Sequence, residues 1–175
     1  MSVGECKSLT EPAGIHGHLG DFTAALETAR RDLEGLLSDL TSPKLVWQPL
    51  STVQSIGALL LHIACTETFW FGEELGAEEK KYLWDDSKDE LPPSAPPMPL
   101  DWYLDRLRSA RAHTLEKLSQ TPLDRICERK DSDGKTVRYS LGWVLCRLLE
   151  HEAAHRGQID MLKRWYREAH APVYA

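Results

Sequence analysis

No run of this sequence comes near the ~20 apolar residues that cross a bilayer, and no pair of its four cysteines forms a CxxC motif. Cys6, Cys65, Cys127 and Cys146 stand far apart, so neither a zinc ribbon nor a dense disulfide framework can be read from them. With no signal peptide, they are expected to be reduced cytoplasmic thiols, Cys65 and Cys146 filling small gaps inside helices. A positive excess is also lacking. Acids outnumber bases, 27 to 21, for a net charge of −6. That balance argues against a nucleic-acid partner, and the scattered basic residues read as a solvated surface. At 42% hydrophobic, the 175 residues are too apolar for a disordered chain and suit one core.

Residues 1–18 read as a flexible N-terminal arm, punctuated by Pro12, Gly14 and Gly17, with 19–175 as a single domain. His16 and His18 form an HxH pair that is most simply part of that arm. The pattern beyond it predicts four amphipathic helices. The first runs from Asp21, as its cap, to Leu40; its outer face carries Glu27, Arg30, Arg31 and Glu34. Thr41, Ser42 and Pro43 stop it, and Trp47-Gln48-Pro49 lies in a connecting loop. The second begins near Ser51 or Thr52 and continues to about Gly76, with His62 inside its apolar run. The third spans Leu100 to Ser119, with Asp101 as a cap and His113 at its rim. Between the second and third lies a long acidic, then proline-rich connection, 78–99, read as a surface excursion or a lid. Asp133-Gly134 signals a short hairpin within Arg125–Tyr139.

The fourth helix, Ser140 to Ala169, carries the chemistry. Leu141, Val144, Leu145, Leu148, Leu149, Ile159, Leu162 and Trp165 make its core-facing stripe, and His151 and His155 interrupt that stripe without leaving it. Two imidazoles one turn apart can bind one metal ion. A buried imidazole without a partner is costly, and His62 stands on a second apolar helix. Metal sites in bundles are built from side chains on facing helices, and three imidazoles would leave a coordination position open. The motif His151-Glu152-Ala153-Ala154-His155 also matches HExxH, in which Glu152 would be the general base of a zinc protease. The metzincin extension needs Gly at 158 and His at 161, where this chain has Gln158 and Met161. A Glu168 ligand would require the helix to fold back.

Trp47-Gln48-Pro49, the run Ser55 to Ala64 with its His62, then Glu67 and Trp70, and finally His151-Glu152-Ala153-Ala154-His155-Arg156-Gly157-Gln158-Ile159 occur in an order that resembles the DinB superfamily. The resemblance covers nearly the whole chain from the first helix onward. It implies an all-α four-helix bundle with up-down-down-up connectivity and a divalent metal, zinc or nickel in many members, on His62, His151 and His155. Glu67, Trp70, Glu152, Arg156 and Gln158 are the candidates for supporting or pocket positions. Glu67 and Glu152 are expected either to accept from the ligand histidines or to pair with Arg156; Gly157 is expected to permit close helix approach; Trp143 is a further candidate for the pocket.

The resemblance also implies a low-molecular-weight thiol as co-substrate, since relatives include mycothiol-dependent maleylpyruvate isomerases and S-transferases using bacillithiol or glutathione. The leading expectation is therefore a thiol-dependent S-transferase or isomerase acting on a small molecule. The alternatives are a metal-dependent hydrolase of a small ester or amide and a non-catalytic stress-response metal-binding protein. A homodimer is plausible under each, and neither nucleic acid nor a membrane is expected as a partner.

Overall fold

The structure is a computed structural model that describes residues 18–71, 80–84, 94–122, 125–130 and 134–171. Helix α1 spans His18–Leu37, the short α2 Ser42–Val46, α3 Ile56–Trp70, α4 Leu100–Ser119 and α5 Leu141–Ala169; β1 (Ile126–Lys130) and β2 (Thr136–Ser140) precede α5. Of the arm expected over 1–18, all but His18, which opens α1, falls outside the described residues, as does half of the connection 78–99.

Helix α1 starts three residues before the expected cap. Asp21 sits in its first turn, where a carboxylate opposes the positive helix end as well as it would from the cap. The helix ends at Leu37. Leu40 remains buried through a turn closed by Leu40 N–H to Leu37 O, which is why the apolar period outruns the helix. Pro43 opens α2 rather than only ending α1: a residue without an N–H fits the first turn, where that donor has no partner. Helix α3 starts later than expected. Ser55, not Ser51 or Thr52, caps it, its Oγ accepting from Ala58 N–H at 3.3 Å. Among the described residues it ends at Trp70, short of Gly76. Helix α4 has the expected bounds, but Pro99 occupies its cap position and Asp101 lies in its first turn. Helix α5 also follows its sequence pattern, with Ser140 Oγ accepting from Trp143 N–H.

The contacts fix the helix directions. Arg30 meets Glu152, Asp32 meets Arg156 and Asp39 meets Lys163, so α1 and α5 run parallel. Glu27 meets Arg111 and Glu34 meets Arg108, so α4 runs against α1. Gly57 lies against Tyr103 and Glu67 against Arg111, so α3 and α4 run together. The result is an up-down-down-up four-helix bundle, made possible by the long connection between its two "down" helices.

The α3–α4 approach depends on Gly57. A Cβ there would stand 2.8 Å from the Tyr103 hydroxyl and 2.9 Å from Ala95 Cβ. Tyr103 is fully buried, its hydroxyl donates to Pro96 O, and burial pushes its phenol up to about 12. Gly157, by contrast, faces open space, so close approach is not its role. The hairpin pairs Ile126 with Ser140 through Lys130 with Thr136 in antiparallel register. Gly134 has φ of 77°, the left-handed conformation that its missing Cβ permits.

One apolar cluster joins Leu33, Leu37, Leu45, Ile56, Leu60, Tyr103, Leu107, Ile159 and Leu162. A second joins Leu26, Leu118, Leu141, Val144, Leu145 and Leu148 near the hairpin. Two expected core residues of α5 are elsewhere: Trp165 is exposed and Leu149 only half-buried. Beyond Leu162 the inward contact passes to Tyr166, whose ring meets Trp47 edge-on. Cys65 is buried as expected, but Cys146 is exposed.

Candidate metal centre

The two clusters leave a polar layer between them. Helix α3 brings His62 there from one side, and α5 brings His151 and His155 from the other. His62 and His155 are buried and His151 is half-buried. Their Nε2 atoms converge: His151 to His62 at 2.9 Å and His155 to His151 at 3.0 Å. The three potential ligand atoms lie within 4.8 Å of one another.

The far nitrogens explain why these faces turn inward. His62 Nδ1 is 2.5 Å from Tyr82 O. A carbonyl only accepts, so Nδ1 carries the proton and Nε2 the lone pair. His155 Nδ1 stands 2.6 Å from Gln158 Oε1, one turn on along α5, and the same tautomer follows. This is the outer-contact pattern that orients metal-binding imidazoles. Trp84 stacks on the His62 ring, centroids 4.0 Å apart at 19°. Burial, with His155, His62 and Arg147 nearby, pushes the His151 imidazole down to about 3, so at neutral pH it too holds a free lone pair. Three imidazoles facing one point are a donor set suited to zinc, nickel and other borderline divalent metals.

Of the expected supporting residues, Gln158 lies against His155. Glu67 and Glu152 belong to a buried ion network instead. Arg30 Nε lies 2.7 Å from Glu152 Oε1 and its Nη2 lies 2.9 Å from Glu67 Oε2. Arg111 Nε lies 2.6 Å from Glu67 Oε1 and its Nη2 lies 3.0 Å from Glu152 Oε2. Arg30 Nη1 also donates to Leu107 O, and Arg111 Nη1 reaches Glu27. Two cations and two anions, one from each long helix, thus satisfy one another in the interior.

Burial alone would raise the Glu67 carboxyl, but Arg111 and Arg30 outweigh it and hold the group below its usual range. Burial likewise opposes the charged form of Arg111, and Glu67 and Glu152 outweigh it in the other direction. Arg156 pairs with neither glutamate; it meets Asp32 at 2.7 Å beside an outer groove between α1 and α5.

The aromatic candidates separate as well. Trp70 packs on Tyr139 and Trp143 and lines a cavity of about 510 Å³ at the hairpin end with Phe71, Lys117, Arg125, Ile126, Cys127 and Leu141. None of the histidines lines that cavity. Trp143 lies outside it, stacked on Tyr139 and still 42% exposed.

Four residues in this layer are not among those expected from the sequence. Arg30 is expected on the outer face of α1, and Arg111 has no expected role, although each keeps the apolar period of its helix: Arg30 with Leu26, Leu33 and Leu37, Arg111 with Leu107, Thr114 and Leu118. That spacing is a signal that charge obscured. Tyr82 and Trp84 came from a connection with no period, where only the two aromatics in an acidic stretch hint at burial.

Three solved structures share this shape at low sequence identity. A conserved protein from Enterococcus faecalis superposes with a TM-score of 0.63 at 15% identity, over 85% of this chain and 96% of its own. A protein described as a four-helix bundle gives 0.56 at 17%, over 82% and 98%. A DinB-like protein from Bacillus cereus gives 0.54 at 20%, over 82% and 91%. No curated protein matches the sequence. The model of the mycothiol-S-transferase family, however, matches residues 21–169, and with the DinB-like bundle around its histidines the chain belongs to that family, within the DinB superfamily.

Proposed function

We propose that this protein is a divalent-metal-dependent S-transferase in which His62, His151 and His155 hold the metal and mycothiol is the thiol co-substrate. The observation that carries this reading is the convergence of three Nε2 atoms, two of them on rings whose Nδ1 is anchored to an acceptor. A divalent ion there would lower the pKa of a bound thiol, making it a thiolate at neutral pH. The overall change is transfer of the thiol sulfur to a small electrophile: a carbon–sulfur bond forms, the leaving group departs with its electron pair, and the thiol proton goes to solvent.

The chain's own residues hold and orient. Tyr82 O and Gln158 fix the tautomers, Trp84 covers one face of His62, and half-buried His151 marks the side open to co-substrate. Glu152 is committed to Arg30 and Arg111 through both carboxylate oxygens, which leaves the general-base role of an HExxH protease without a free base. Buried Cys65 does not supply the nucleophile; the co-substrate does.

Metal analysis of protein purified without chelator tests the common premise, with a stoichiometric divalent ion expected and its loss in His155→Ala at preserved helicity. Mycothiol and chlorodinitrobenzene then test the transfer. Protein that neither carries nor takes up metal would sink the reading. Metal-dependent ester cleavage without added thiol, and no thiol transfer, would replace it with a hydrolase.

A further inference from the structure

The histidine layer continues along the α3–α5 seam. His62 meets His151, and eight residues further along α3, Trp70 meets Trp143, which lies eight residues before His151 on α5. The helices are antiparallel here, so Thr66 and Arg147 occupy the level midway. Eight residues of helix span about 12 Å. The seam therefore leads from the open side of the imidazoles, past Arg147, to a group of aromatic rings. Arg147 is about half-exposed and stands one turn before His151 on α5, and its guanidinium lies 5.9 Å from the Trp143 ring. At the far end Tyr139 and Trp143 stack 4.6 Å apart, Trp70 meets both edge-on, and Phe69 meets Trp70. Trp143 remains 42% exposed and Phe69 39% despite these contacts.

We propose that this track is a subsite for the polyhydroxylated rings of the thiol co-substrate, with Trp143 as its platform and Arg147 as a polar contact on the way. The proposal rests on the S-transferase reading above and names the part of the co-substrate that the seam recognises. Mycothiol carries its cysteinyl thiol on two linked polyhydroxylated six-membered rings. With sulfur at the histidines, the rest of such a molecule must leave past half-buried His151, and the exposed Arg147 and Trp143 precede it at four-residue steps on the same side of α5. The C–H faces of a saturated ring lie flat on an indole, while its hydroxyls take donors from a guanidinium and exchange hydrogen bonds with Thr66 and Tyr139. A small thiol without rings gains nothing from the track.

Isothermal titration of zinc-loaded protein with mycothiol and with N-acetylcysteine tests this. Wild-type protein is expected to bind mycothiol more tightly. Trp143→Ala should weaken mycothiol about tenfold, equivalent to about 1.4 kcal/mol, while N-acetylcysteine affinity and zinc content stay constant. Trp143→Phe should restore much of the loss, and Arg147→Gln, which removes no ring, should weaken mycothiol in the same selective way.

Equal wild-type affinity for the two thiols would overturn the subsite and leave the S-transferase reading standing. So would Trp143→Ala with unchanged mycothiol binding, or with a raised KM for the electrophile alone. Binding of neither thiol by zinc-loaded protein would overturn both.

Discussion

Arg30 on α1 and Glu152 on α5 meet through two contacts, of 2.7 and 3.3 Å, at the centre of the bundle. Glu152 follows His151 directly in the chain, yet the helix turns the two side chains to different tasks. The carboxylate cross-links helices, and the imidazole faces its two partners. Removing one member of a buried pair leaves an uncompensated charge and costs about 3–5 kcal/mol. Glu152→Gln is therefore expected to lower the free energy of unfolding by an amount of that order, read from urea denaturation, while the protein that remains folded keeps its metal. Unchanged stability with abolished activity would instead restore the general-base role.

Acid should act on the metal-free protein in two stages. The His151 imidazole titrates near 3 in the folded chain against an ordinary value of 6.5. Below pH 6.5 the unfolded chain thus binds a proton that the folded one refuses, and stability falls as pH drops from there toward 3. Glu67 is depressed below its ordinary 4.5 by Arg111 and Arg30 against the cost of burial. Its contribution is present above pH 4.5 and is lost as pH falls through the folded value. Urea midpoints measured from neutral to acid pH should decline first below about 6.5 and more steeply below about 4.5. His151→Ala is expected to flatten the first decline and leave the second.

Much of this arrangement is legible in the sequence, and the parts that are not have a common cause. Periodicity puts His62, His151 and His155 on core-facing sides of two helices, and helical geometry does the rest. The bounds of α4 and α5 follow from where the apolar period starts, after the last proline of its run, Pro99, in one and after Ser140 in the other. At α3 three hydroxyl residues compete for one cap, and the choice of Ser55 depends on the turn at 50–53, held by Gln48 Nε2 donating to Val53 O. The ion network is not legible in the sequence, because a charge on an apolar face is favourable only when its partners arrive from other helices, and no single helix announces them. Tyr82 and Trp84 reach His62 from a connection whose path no local rule dictates.

Gly57 sets how closely α3 and α4 approach, and so where His62 stands. Its Cβ-less face accommodates the ring of Tyr103, which is fully buried and cannot move outward without giving up its hydrogen bond to Pro96. Gly57→Ala places a methyl 2.9 Å from both Tyr103 Cζ and Ala95 Cβ. Overpacking of this kind costs about 1–3 kcal/mol, despite the better helix propensity of alanine. The expected outcome is a lower thermal midpoint. Gly157→Ala, where nothing lies within 4 Å, should leave the midpoint unchanged or raise it.

Gln158 separates orientation from ligation. Its Oε1 accepts from His155 Nδ1 at 2.6 Å, and the side chain is otherwise on an exposed face of α5. Gln158→Ala removes that acceptor without emptying the core, so the fold should be unaffected. The His155 ring then loses the acceptor that favours this tautomer, so its Nε2 lone pair is presented less of the time. Outer contacts of this type are worth about 10- to 100-fold in metal affinity. A chelator competition with zinc should show a loss in that range for Gln158→Ala, against complete loss for His155→Ala. Gln158→Glu, which keeps an acceptor and adds negative charge, should hold zinc at least as tightly as the native side chain. An affinity unmoved by Gln158→Ala would show that packing alone orients His155.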